Sequence, residues 1–157
     1  MNDPIAYFIT WTTYGTWLSG DQRGWIKRGQ WVVQPPDPEL ELRSRQAMTG
    51  DFIVLTPEQR AIVDQVVVDH CRIRNWVLHA RNVRTNHVHL VLSAPVHPRV
   101  IREQLKAWAS RRLSDAAALR GHGRDGRRRW WTEKGDIEWI RDEDNLERVI
   151  HYVLELQ

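Results

Sequence analysis

The spacing of apolar positions changes period several times along the chain, and each change marks an element. Residues 4–13 mix aromatic and β-branched side chains with partial alternation, which predicts a strand ending at Tyr14-Gly15. From about residue 14 to 54 the chain carries Gly15, Gly20, Gly24, Gly29, Pro35, Pro36, Pro38 and Gly50. That density of breakers predicts an irregular insertion. Thr56-Pro57-Glu58-Gln59 supplies a capping threonine, proline at the first helical position and a glutamine that can reach back to the cap. Ile62, Val63, Val66, His70 and Ile73 follow at helical spacing, so His70 reads as a core or boundary histidine.

Residues 75–82 look like a second strand, joined through Val83-Arg84-Thr85 to a third in Asn86-His87-Val88-His89-Leu90-Val91-Leu92-Ser93. The short connection predicts an antiparallel hairpin. On the third strand, alternation directs Val88, Leu90 and Leu92 into a core and His87, His89 and Val91 towards a surface. Beyond Pro95 and Pro98, residues 99–119 read as a helix with Ile101, Leu105, Trp108 and Leu113 inward and Arg102, Lys106, Arg111 and Arg112 outward. Residues 120–129 are glycine-broken and basic, a mobile arm carrying Arg124, Arg127, Arg128 and Arg129. Trp130-Trp131 through Gly135 lead to an edge strand over residues 136–140. A last helix follows, capped by Asp142 or Asp144, with Leu146, Val149, Ile150 and Val153 as its stripe and Tyr152 beside it, at the seam between helix and sheet.

This order suits one α+β domain over residues 1–157, with a ferredoxin-like antiparallel sheet and helices packed on one face. Composition adds a local charge. Residues 99–129 hold ten Lys/Arg against three Asp/Glu, although the whole chain is only +3. A cationic patch on a near-neutral protein points to a polyanion, and nine tryptophans could serve a core or a base-stacking surface. The single cysteine, Cys71, excludes an intrachain disulfide and a cysteine zinc cluster, and its place on a helix predicts a packed thiol. No secretory signal pattern or bilayer-length apolar run is present, so a cytoplasmic location and no membrane partner are expected.

The candidate chemistry lies in the His87–His89 pair. Two imidazoles on one strand face could converge on one cation. His79 on the preceding strand is a possible third imidazole, and the balance favours a half-buried structural role for it. Three readings stay open: a DNA strand transferase, a single-stranded nucleic-acid binding module with structural histidines, and a hydrolytic phosphodiesterase using activated water.

His-hydrophobe-His on a central strand after asparagine, followed by a basic helix and a single tyrosine on a C-terminal helix, resembles the HUH single-tyrosine transposases. The small insertion-sequence transposases and the REP-associated tyrosine transposases fit best, and the likeness spans nearly the whole chain. It implies an HUH endonuclease fold and metal-dependent cleavage and strand transfer of single-stranded DNA, with hairpin-bearing element ends as partners. Tyr152 would attack the scissile phosphate to leave a 5′-phosphotyrosine, while His87 and His89 hold Mg²⁺ or Mn²⁺. Tyr7 and Tyr14 suit core or loop roles. The family's third ligand is commonly a glutamine four residues after the tyrosine, where this chain has Leu156. Gln157, one place further, or Glu155 as an alternative, would have to replace it. Members of the family act as monomers or as homodimers, and either state is open here.

Overall fold

A computed structural model of the protein describes residues 3–15, 25–26, 33–34, 37–39, 42, 52–119 and 129–155. Most of the expected insertion, the basic arm with Arg124, Arg127 and Arg128, and Gln157 lie outside the described residues.

Strand β1 spans Ala6–Thr12, and Trp25–Ile26 and Val33–Gln34 pair as a small separate ribbon, β2 and β3. Helix α1 is Pro57–Arg74, followed by β4, Val77–Val83, and β5, His87–Ser93. Helix α2 is Pro98–Leu119, then come β6, Asp136–Ile140, and α3, Glu143–Glu155. The main sheet runs β4-β5-β1-β6 with every neighbouring pair antiparallel, which is the ferredoxin-like order.

Local chemistry sets the ends of α1. Thr56 Oγ1 accepts from Gln59 N–H while Gln59 Oε1 accepts from Thr56 N–H, the capping box expected of these residues. Asn75 ends the helix at φ 58, with its N–H directed to Cys71 and Arg72 carbonyls. At α3 the cap is Asp142, whose carboxylate accepts from Asn145 N–H at 2.8 Å. Of the two aspartates considered, the earlier one therefore caps.

The principal core lies between the sheet and the two long helices. Ile9, Trp11, Val88, Leu90 and Leu92 meet Val63 and Val67 of α1 and Ile101, Leu105 and Leu113 of α2, all essentially without solvent exposure. Each such aliphatic side chain contributes about 1.5–3 kcal/mol by leaving water. Cys71 belongs to this core, and burial pushes its thiol pKa up to about 11. Native protein should therefore resist alkylation by iodoacetamide at neutral pH and react only on unfolding. Labelling of the folded protein at the unfolded rate would show the helix to be open there.

A second apolar cluster sits on the opposite sheet face, where Ala6, Ala80, Val91 and Ile140 receive Leu146, Val149 and Val153 of α3. Val91, expected beside the histidines at a surface, is thus fully buried under α3. The two long helices share one face of the sheet, and the short C-terminal helix lies over part of the other.

The inner face of α2 also differs from expectation. Arg102 and Lys106 are buried, and Trp108 is 43% exposed with Arg111 stacked 4.7 Å above its ring. At about 100° per residue, Arg102, Lys106, Ala109 and Leu113 share an arc with Leu105, and Trp108 falls at its margin. The long cations are satisfied there by backbone. Arg102 Nη1 donates to Gly135 O at 3.1 Å, and Lys106 Nζ donates to Thr132 O and Lys134 O at 2.9 and 2.7 Å. Burial holds the Lys106 ammonium below the usual lysine range, against the opposing pull of Glu103. These two residues anchor the approach to β6 and are not a DNA-facing surface.

Candidate active site

The uncovered part of the α3-side sheet face carries the histidines. Antiparallel register sets Thr10 opposite His89 and Thr12 opposite His87, with Asn82 opposite His89 on the other side. Facing residues in such pairs project to the same side of the sheet. The His87 and His89 rings lie 4.5 Å apart, centroid to centroid, at an interplanar angle of 76°.

Each ring is held through Nδ1. His87 Nδ1 is 2.7 Å from Asn86 Oδ1, and His89 Nδ1 is 2.8 Å from Thr10 Oγ1. With the Nδ1 proton donated to those oxygens, the lone pair of each neutral imidazole sits on Nε2, the arrangement in which outer partners prepare histidines for a cation. Burial, then the charges of His87 and Arg84, lower the His89 pKa from 6.5 to about 4. The ring is therefore neutral at physiological pH.

That depression also couples stability to pH. The folded-state value is the lower one, so the neutral ring's contribution is complete above pH 6.5 and is lost as pH falls towards 4. Thermal melts of chelated protein should show Tm dropping through this window, and His89→Gln should flatten the drop. An unchanged slope in the variant would assign the acid sensitivity to other groups.

Tyr152 joins the histidines from above the sheet. It is 42% exposed, with its ring centroid 6.3 Å from that of His89 and 6.1 Å from that of Phe8. Phe8 in turn lies 5.6 Å from His89, so the three rings form a triangle on one face. Asn82 Nδ2 donates to Val153 O at 2.9 Å and ties the end of α3 to β4 beside His89. The Tyr152 ring thus stands beside His89 of the same chain.

The other site residues considered from sequence are scattered. His79 Nε2 is 2.7 Å from Ser93 Oγ, at the far end of β5 from the pair, and His70 Nε2 contacts Gln104 Oε1 against the Trp76 ring. Glu155 ends α3 in an exposed position, and among the described residues no third His, Cys, Asp or Glu completes a metal-holding group with the pair. Arg111 and Arg112 are exposed on α2, across the sheet from the histidines. Arg129 stands over the Tyr14 ring at 5.1 Å, and Thr13 N–H donates to Asn86 O, so Arg129 borders the His87 end of the sheet.

Thr10, Phe8, Asn82 and Arg84 were not singled out by sequence. Thr10 and Phe8 had a faint signal, since they occupy the phase of the first strand that alternates with the core residues Ile9 and Trp11. Which histidine each would meet depends on register, and no local pattern encodes that.

The fold and site define an antiparallel α+β domain with paired histidines and a tyrosine converging on one sheet face, and solved structures share that fold. No protein-family profile matches the sequence, and no curated protein matches it. The chain is similar to a Deinococcus radiodurans protein assigned provisionally as a transposase, at TM-score 0.52 and 18% identity over 96% of this chain and 88% of that one. It is also similar to a REP-associated tyrosine transposase bound to a REP hairpin, at TM-score 0.51 and 12% identity. That match covers 98% of this chain and 66% of the other. The likeness to these two transposases is one of fold. Among the described residues no helix is long and apolar enough to cross a membrane.

Proposed function

We propose that this protein cleaves and rejoins single-stranded DNA at hairpin-bearing ends, with Tyr152 as nucleophile. The observation that carries this reading is the placement of the Tyr152 ring beside His89, on the same open face as His87. In the proposed reaction Tyr152 Oη forms a bond to the scissile phosphorus as the bond from phosphorus to the 3′-oxygen breaks. The phenolic proton passes to a base or solvent, and the departing oxygen takes up a proton to become a 3′-hydroxyl. A 5′-phosphotyrosine remains. Attack on it by a 3′-hydroxyl reverses these steps, joins strands and releases Tyr152 without an external energy source.

His87 and His89 would hold the divalent cation, and the donor set fits one. Two neutral imidazoles suit Mn²⁺ and accept Mg²⁺ when oxygen donors complete the shell. Such an ion offsets negative charge on the phosphate oxygens during transfer. Asn86 and Thr10 orient the imidazoles, Phe8 supports the tyrosine ring, and Arg84 and Arg129 supply cations at the His87 end. Gln157 remains the proposed source of an additional oxygen donor, since Glu155 does not join the pair.

The test is incubation with hairpin-bearing single-stranded oligonucleotides and Mn²⁺, followed by mass detection of nucleotide on Tyr152. An adduct that chelation prevents is expected. Products ending in phosphate with no adduct would favour hydrolysis by activated water. Salt-sensitive binding with no cleavage would favour a binding module.

A further inference from the structure

A groove of about 550 Å³ runs along the outer edge of β4, with α1 on one side and the end of α3 on the other. Arg60, Asp64, His79, Arg81, Asn82 and Leu154 are among the residues that line it. Two of its features point to an anion. Arg60 Nε is buried and has no hydrogen-bond partner among the described residues, an arrangement that leaves part of a guanidinium desolvated without compensation. Arg81 stands beside it, held by Asp64 through an Nε to Oδ1 contact of 2.7 Å, so the lining keeps a net positive charge beyond this ion pair.

The groove lies one strand away from the candidate active site. Asn82 lies in its wall, opposite His89 in register, and also holds the last turn of α3, where Tyr152 sits. One strand spacing, about 4.8 Å, separates Asn82 from the histidine strand. A nucleic-acid strand with one phosphate at Tyr152 would pass Asn82 and turn around the edge of β4 to reach Arg81 and Arg60, because Arg81 alternates to the other sheet face.

We infer that this groove is a phosphodiester-contact subsite for the single-stranded DNA flanking the scissile phosphate, with Arg60 as its main cation. The assignment to flanking DNA rests on the proposed strand-transfer reading. A guanidinium presents several donors in a fixed fork that suits phosphate oxygens.

The test compares wild type, Arg60→Met, Arg60→Lys and Tyr152→Phe for binding of oligothymidylate and of a hairpin with and without a single-stranded flank. Arg60→Met should weaken binding of oligothymidylate and of the flanked hairpin about five- to tenfold and reduce the salt slope by about one unit. Binding of the unflanked hairpin should be unchanged, Arg60→Lys should restore most of the salt slope, and melting curves confirm folding of each variant. Equal losses on all probes, no loss on any, or absence of oligothymidylate binding by wild type would overturn the subsite. Arg60-dependent binding of inorganic phosphate without an effect on oligothymidylate would overturn the DNA assignment in favour of a free-phosphate site. Tyr152→Phe should keep the Arg60-dependent binding. If wild type never forms an adduct yet this binding persists, the cleavage reading fails and the groove stands.

Discussion

Tyr152→Phe should abolish the covalent protein–DNA adduct in Mn²⁺, lowering cleavage by at least about 10³-fold, as expected when a nucleophile is removed. The substitution deletes one hydroxyl and leaves the ring against Phe8 and His89. Helix α3 remains docked through Leu146, Val149 and Val153, so stability should stay within about 0.5 kcal/mol of wild type. DNA affinity should also persist, which separates loss of chemistry from loss of binding. Tyr14→Phe is the matching control, because Tyr14 lies near the His87 end beneath Arg129 and should leave adduct formation intact. Adduct formation by Tyr152→Phe at the wild-type level would remove Tyr152 from the mechanism.

The second large effect concerns stability. Gly135 has φ 142, and a Cβ there would stand 2.4 Å from Thr10 O, 3.1 Å from Trp11 Cβ and 3.3 Å from Arg102 Cδ. The closest obstacle is backbone in a central strand, which cannot swing aside as a side-chain end could. Gly135→Ala combines conformational strain of about 1–3 kcal/mol with overpacking of similar size. A loss near 3 kcal/mol should lower Tm by roughly 6–12 °C for a domain of this size. Thr10 is also the partner of His89, so displacement of its backbone would loosen the imidazole as well as the fold. A melting point within about 2 °C of wild type would show that the chain has an easy way to open this contact.

Several elements were legible because their signals are local. The capping box at Thr56 and Gln59 involves residues three apart, and the hairpin follows from a short connection between two apolar runs. The histidine spacing guarantees a shared strand face whatever the strand's neighbours. Helix α2 departs from its sequence pattern because two charged side chains, Arg102 and Lys106, are buried on its inner arc. Arg102 and Lys106 are accommodated on its buried arc because the carbonyls of Thr132, Lys134 and Gly135 meet them there, and that approach is absent from the helix's own sequence. Trp108 falls at the margin of that arc and is part-exposed.

The sequence alone determined that His87 and His89 would stand together on a strand and that a tyrosine would sit beside the stripe of the final helix. Both follow from the fixed periods of strand and helix. Tertiary structure decided that α3 would cover Val91 yet leave the histidines open, that Thr10 would hold His89, and that Tyr152 would approach His89. Those outcomes depend on register and on which sheet face a helix selects. Both are set by burial among residues distant in the chain, which local periodicity does not specify.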